Sequence, residues 1–208
     1  MLDKYVVRKF KYVARIIKPG SRVLDIGCDN GELKNFLPEN TDYFGIDADV
    51  KGIAEAKRKG IKVRLMNLNT EKLNLNKRFD YIIMLDVLEH VVNPAKAINE
   101  TKNCLKQDGK MIISLPNDYN FLNKIRFLLN KEIVKNPFAE FSHLHIFTIK
   151  EGENFLKRQG LTIIRKDFLY PSRPKVLPSF IRKILTNIFP NNFARGTIYL
   201  LKKNELRY

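Results

Sequence analysis

Acidic residues are scarce in this sequence: 22 Asp and Glu stand against 38 Lys and Arg, a formal net charge of +16 over 208 residues. The shortage is uneven. From Lys150 to Tyr208 there are 13 basic and 4 acidic residues, a net +9, whereas residues 1–116 carry +6. Such a surface suits nucleic acid, anionic lipid or an acidic substrate, and a lysine-rich solvated face equally well, so charge alone selects no partner. Cysteine is nearly absent too. Cys28 and Cys104 stand far apart, which leaves no disulfide framework and no cysteine metal spacing. No apolar run approaches the roughly 18 residues a membrane span needs, and the amino-terminal stretch lacks the apolar core and cleavage site of a signal peptide. A cytoplasmic setting is the expectation. There is no internal repeat and no low-complexity tract, and 44% hydrophobic content suits a single domain over residues 1–208.

What is present alternates between two periods. Val6, Val7, Phe10, Val13, Ala14 and Ile17 recur at helical spacing up to Pro19-Gly20, so an amphipathic helix opens the chain. "SRVLDIG" is a short apolar run ending in glycine, followed by a helix over Gly31–Leu37 and a strand "DYFGID". Next come a helix near Asp49–Lys59 stopped by Gly60, a strand "KVRLMN" and a buried strand "FDYIIML". A helix over Pro94–Leu105 then leads through an Asp108-Gly109 turn to the strand "KMIISL". After an irregular stretch, a helix over Lys150–Gln159 and the strands "LTIIRKDFL" and "RGTIYLLKK" complete the chain. This rhythm predicts a doubly wound α/β fold, with a mostly parallel sheet covered by helices on both faces and a ligand at the carboxyl ends of its strands. Residues 117–147 are expected as a lid or acceptor-binding insertion over those ends, and 170–194 as a second, basic amphipathic insertion.

The loop "GCDNG" after the first strand restricts the ligand. A dinucleotide fingerprint needs G-x-G-x-x-G around a pyrophosphate, but here neither the second nor the third glycine falls in place, and Asp25 and Asp29 would repel a diphosphate. No Walker G-K-[ST] follows. An adenosine ligand that carries positive charge and no phosphate fits, and S-adenosylmethionine, with its sulfonium and ammonium groups, is such a ligand. Asp47 ends the next strand, where a carboxylate accepts from a ribose diol; Asp49 is expected as a helix cap.

With these residues in view, the chain resembles the class I S-adenosylmethionine-dependent methyltransferases of the small-molecule group over about its first 116 residues. The likeness resumes at "HLHIFTIKEGENFLKRQGL", similar to that group's H-x-x-F-F-T strand. The resemblance implies a Rossmann-like seven-stranded sheet whose last strand is antiparallel, with S-adenosylhomocysteine as product. It places Asp25, Gly27, Cys28 and Gly31 at the methionine end, Asp47 and Ala48 at the ribose, and Asn67 and Leu68 at the adenine, with Met84 and Leu85 on the opposite wall. Two positions depart from the family pattern. Asp29 replaces the middle glycine of the loop, and Asn67 replaces the adenine-contacting aspartate, although its amide oxygen can still accept.

Activating a hydroxyl acceptor needs a base. "LDVLEHV" offers Asp86, Glu89 and His90 in an order resembling the E-x-x-E-H of metal-dependent quinone O-methyltransferases, yet "LEHV" also caps helices in relatives without metal, and no metal ligand is assigned here. His143 and His145, two apart on an expected strand, should point to one side; His143 is the first candidate base and His145 the second. The [ND]-P-P-[YF] phrase of base-amino methylation is missing, which argues against nucleic acid as substrate. Phe180, Ile181, Ile184, Leu185, Ile188 and Phe189 share a helical face beside Arg182 and Lys183. This face suits either peripheral membrane contact through 178–189 or ordinary core packing, and core is the preferred expectation. The expected activity is O-methylation of a small or lipid-linked acceptor. The chain also resembles methionine-biosynthesis accessory proteins that keep this fold and act as partners of a homoserine acyltransferase. RNA methylation is a third option resting on charge alone.

Overall fold

The computed structural model describes residues 2–131, 142–171 and 177–204. Strands β1 (Arg22–Ile26), β2 (Asp42–Asp47), β3 (Val63–Leu65), β4 (Phe79–Leu85), β5 (Leu105–Pro116), β6 (Leu161–Leu169) and β7 (Gly196–Lys203) form one seven-stranded sheet in the order β3-β2-β1-β4-β5-β7-β6. The first five are parallel, and β7 runs antiparallel between β5 and β6. The sequence order reverses between β1 and β4, so a crevice is expected beyond their carboxyl ends.

Among the described residues, helices α1 (Lys4–Ala14), α2 (Val50–Arg58), α3 (Pro94–Asn103), α4 (Phe121–Leu128), α5 (Ile149–Arg158), α6 (Ser179–Ile188) and α7 (Pro190–Phe193) surround the sheet. Several start at local signals in the sequence. Asp49 accepts from the Lys51 and Gly52 N–H groups to cap α2, Asn93 caps α3 ahead of Pro94, and Thr148 with Glu151 forms a reciprocal capping box for α5. Each such cap contributes about 1 kcal/mol. Alternation along the strands then divides the core in two. Leu24, Ile26, Ile82, Met84 and Met111 pack with Ile98 of α3 and Leu156 of α5. Val23, Tyr43, Tyr81, Ile83 and Ile112 pack on the other face with Val13 of α1 and Ala56 of α2.

Several local expectations are corrected. The first helix buries Tyr5, Lys9 and Val13, while Val6, Val7 and Phe10 are only half-buried. Gly31–Leu37 is a short 3-10 helix, Glu32–Phe36. Asp108-Gly109 is no turn: β5 is continuous from Leu105, and the register with β4 jumps between Phe79↔Leu105 and Tyr81↔Lys110, so the extra residues bulge out of the ladder. Pro190 ends α6 but opens α7. His143 and His145 lie in irregular backbone, not on a strand. Of the two insertions, residues 132–141 and 172–176 lie outside the described residues.

Candidate active site

The cofactor loop is a sequence of left-handed turns. After β1, φ is +74° at Gly27, +46° at Asp29 and +75° at Gly31. A Cβ at Gly27 would sit 2.5 Å from Val87 Cγ2, and one at Gly31 would sit 2.6 Å from Ile61 Cδ1, so both positions need glycine for space as well as for φ. Asp29 tolerates its conformation because a short polar side chain is among the few that visit this region. The N–H groups of Gly27 and Cys28 donate to the Ile46 carbonyl at 2.8 and 3.1 Å, tying the loop to β2. Cys28 itself turns inward, its Sγ lying where a Cβ on Gly45 would go.

Carboxylates surround this loop. Asp47, at the carboxyl end of β2, accepts from the Asp29 N–H at 2.7 Å and the Asp49 N–H at 2.8 Å, one on each oxygen. Each oxygen keeps further acceptor capacity for a ligand hydroxyl. Burial and the neighbouring charges of Asp47 and Asp49 push the Asp29 carboxyl up. A cationic ligand would relieve this crowding. Ala48 is exposed next to them. Asn67 folds an Asx-type turn, its side-chain oxygen accepting from the Asn69 N–H at 2.9 Å, and Leu68 is half-buried against the core.

Two of the expected residues are deeply buried. Met84 is wholly buried in the core, whereas Leu85 is half-buried. Asp25 is only 3% exposed and accepts from the Tyr43 hydroxyl at 2.7 Å, so its side chain lies beneath the loop. Burial raises its pKa to about 7, the Tyr43 hydrogen bond opposes this, and the Asp47 charge adds to it. The folded carboxyl thus holds its proton in a range where the unfolded one, near 3.8, has lost it. The native state then binds more protons than the unfolded chain, so this group lowers stability progressively as pH rises from about 4 to about 7. Asp25→Asn should leave stability near pH 4 unchanged and raise it near neutrality, by at most a few kcal/mol at about 1.4 kcal/mol per pKa unit. Thermal unfolding across that range, with the same pH dependence in both proteins, would refute this.

Beyond β4 the chain turns left-handed at Asp86, φ +55°. Asp86 is held by Lys9 of α1 and by Ser114 of β5, whose hydroxyl lies 2.5 Å away and accepts from the Asp86 N–H at 2.9 Å. Lys9 was missed because it sits in the buried stripe of α1; a lone lysine at the spacing Tyr5, Lys9, Val13 was the available signal. With Asp86 so engaged, the E-x-x-E-H likeness loses its first acid. Glu89 is 1% exposed with one carboxylate oxygen lacking a partner among the described residues, and burial, with the Asp86 charge, pushes its carboxyl well up.

The segment 142–147 closes over Glu89. Leu144 and His145 N–H groups donate to the Glu89 carbonyl at 2.7 and 3.2 Å, and Asp118 and Phe147 exchange hydrogen bonds, the Phe147 carbonyl accepting from the Asp118 N–H and Asp118 Oδ2 from the Phe147 N–H. Asp118 Oδ1 lies 3.2 Å from His143 Nδ1, which raises the His143 pKa and assigns the proton to Nδ1. The Nε2 lone pair is then available. His90 points Nδ1 at the Ser142 carbonyl at 3.1 Å, and its ring meets that of His143 edge-on at 5.0 Å. His145 turns away, its Nε2 donating to the Val91 carbonyl at 2.9 Å, so the two histidines do not share a side. Glu89, His90 and His143 bring one ligand-capable atom each within 4.8 Å of one another. The contact between Gly27 and Val87 joins this cluster to the cofactor loop. A separate hollow of about 430 Å³, lined by Ser21, Asp80, Lys106 and Gly109, lies at the amino ends of β4 and β5, the wrong end for a ligand in this fold.

The sheet order and the left-handed glycine loop at the carboxyl end of β1 are those of a doubly wound α/β fold whose ligand crevice lies beyond β1 and β4. The Methyltransferase domain family matches residues 2–166, and the chain belongs to this family of class I S-adenosylmethionine-dependent methyltransferases. It is 28% identical to an uncharacterized protein of Methanocaldococcus jannaschii, over 99% of this chain and 85% of that one. It is 32% identical to the ubiquinone biosynthesis O-methyltransferase of Azorhizobium caulinodans over 54% of this chain and 47% of that one. Among most of the curated relatives it resembles, the match spans about half their length. The fold is shared with a methyltransferase of Mesorhizobium loti (TM-score 0.64, 18% identity, 92% of this chain and 96% of that one). It is also shared with the N-methyltransferase NodS of Bradyrhizobium japonicum in complex with S-adenosylhomocysteine (TM-score 0.64, 13% identity, 97% and 88%).

Proposed function

We propose that the protein methylates a hydroxyl oxygen of a small or lipid-linked acceptor, with His143 as general base. The observation that carries this reading is the Asp118–His143 hydrogen bond, beside buried Glu89, two residues beyond the Val87 that packs on Gly27 of the glycine loop. S-adenosylmethionine supplies the methyl group, which passes from sulfur to the acceptor oxygen and leaves S-adenosylhomocysteine. The chain's own part is positioning. Gly27 and Gly31 let the backbone approach the methionine end, Asp47 and Ala48 meet the ribose, and Asn67, Leu68 and Leu85 bound the adenine. Asp118 fixes the Nδ1–H tautomer, so Nε2 of His143 takes the hydroxyl proton as the oxygen becomes nucleophilic. Segment 142–147, fastened to Glu89 and Asp118, excludes water above. The O-methyltransferase name of several relatives supports oxygen as the acceptor atom.

The unpartnered Glu89 oxygen favours one second reading: a divalent cation shared by Glu89, His90 and His143 that lowers the acceptor's pKa. Turnover with catechol and hydroquinone acceptors, with and without a prenyl chain, decides between them. The base reading expects an O-methyl ether, one per S-adenosylhomocysteine, undiminished by chelator. Loss of turnover to chelator selects the cation. Methylation at nitrogen or on RNA overturns the acceptor assignment, and cofactor binding without transfer, together with capture of an acyltransferase, selects the accessory-subunit alternative.

A further inference from the structure

Large apolar side chains exposed among the described residues concentrate in two segments, 119–129 and 177–189. Helix α4 carries Leu122, Ile125 and Leu128 at helical spacing, yet none of its residues is buried. In α6 the expectation of core packing fails. Only Thr186 is buried, and Ile181 and Leu185 are half-buried, while Phe180, Ile184 and Ile188, the adjoining row of the same apolar face, are 63%, 51% and 62% exposed. One row of the apolar face of α6 therefore stays exposed, the reverse of what solvent selects.

These helices are contiguous. Phe121 of α4 stacks on Phe193 of α7 at 5.8 Å, Lys124 donates to Asn192 at 2.8 Å, and α7 directly follows α6. All three lie at the site end of the sheet, since α4 follows the carboxyl end of β5, α6 that of β6, and α7 precedes the start of antiparallel β7. Charge indicates what covers them. From Tyr119 to Lys131 and from Leu177 to Arg195 there is no Asp or Glu, but there are Lys124, Arg126, Lys131, Arg182, Lys183 and Arg195. Apolar stripes whose own segments carry charge of one sign, positive, complement a surface that is apolar within and anionic at its edge.

We propose that α4, α7 and α6 form a docking surface for an anionic lipid bilayer beside the acceptor site. The inference stands on this surface and does not depend on the acceptor's identity. No helix among the described residues is long or apolar enough to cross a membrane, so the contact is one of lying on the bilayer.

The test is cosedimentation of the full chain with phosphatidylglycerol/phosphatidylcholine vesicles and with phosphatidylcholine alone. Binding should require the anionic lipid, weaken with salt, and fall about tenfold or more in Leu128→Glu and in Ile184→Glu. Ile164→Glu, at an exposed apolar position on the β6 edge, should bind like the parent. S-adenosylmethionine binding, measured in each variant, reports on folding. The chain has no tryptophan, so Phe127→Trp provides a single reporter whose emission should shift to the blue and be quenched by brominated lipid. Absence of vesicle binding, equal binding to neutral vesicles, or an emission from the Phe127→Trp variant that vesicles leave unshifted overturns the proposal. So does a dimer that Leu128→Glu dissociates, which would assign the face to a second copy of the chain.

Discussion

Asp47→Ala should reduce S-adenosylmethionine affinity by roughly 10²–10⁴-fold, reading each lost hydrogen bond to a charged group as about 1.5–3 kcal/mol. Two effects combine. The ribose loses its carboxylate acceptor, and the N–H groups of Asp29 and Asp49, which both end on Asp47, lose their partner. The second effect matters because Asp29 occupies a left-handed conformation at φ +46°, which the loop must hold with no glycine at that position. Asp47→Asn separates the contributions. Its amide oxygen keeps one acceptor while the charge is removed, so its loss should be intermediate. Isothermal titration with S-adenosylmethionine and S-adenosylhomocysteine measures both, and unchanged affinity in Asp47→Ala would remove Asp47 from the site.

Asp118→Asn should lower turnover by roughly 10²–10⁴-fold, the range attached to loss of a positioned base, while cofactor affinity stays unchanged. Asp118 touches the chemistry only through His143, so the pH profile is the discriminating measurement. Asp118 holds the His143 pKa above its ordinary value, and the base form exists only above that pKa. The parent's rate should therefore rise with pH through a limb lying above about 6.5. In Asp118→Asn the lost charge moves that limb to lower pH while the plateau falls. His143→Gln should remove the limb altogether. A fall in rate with the limb unmoved would make Asp118 a structural anchor for segment 142–147 and nothing more, since it also binds Phe147.

The geometry of the glycine loop and of Asp47 was legible because it is local. Gly27, Gly31 and Asp47 lie within 21 consecutive residues, and each follows or ends a strand whose apolar pattern marks its position. The same locality made β4, β6 and the start of α3 readable to the residue. The burial of Met84 and Asp25 was not legible for one reason. Alternation along a strand separates two faces but does not say which positions near the strand's end are covered by neighbours, and both are covered.

The acceptor half was legible only as a set of candidates. His143 and His145 are equivalent in sequence, and the irregular backbone between Ser142 and Phe147 gives no period from which to orient either. Asp118 gives no sign of its role until Phe147 is laid against it, 29 residues on. Lys9 reaches Asp86 across 77 residues.

The sequence by itself determined the order of strands and helices, the glycine turns and the choice of a cationic adenosine ligand, because these depend on backbone conformation and charge within a few neighbouring residues. Only the tertiary structure decided which histidine is hydrogen-bonded to an acid, that Asp86 is occupied by Lys9, and that one row of the apolar face of α6 stays exposed. Those outcomes depend on which distant segments meet, and no local pattern specifies contacts across that separation.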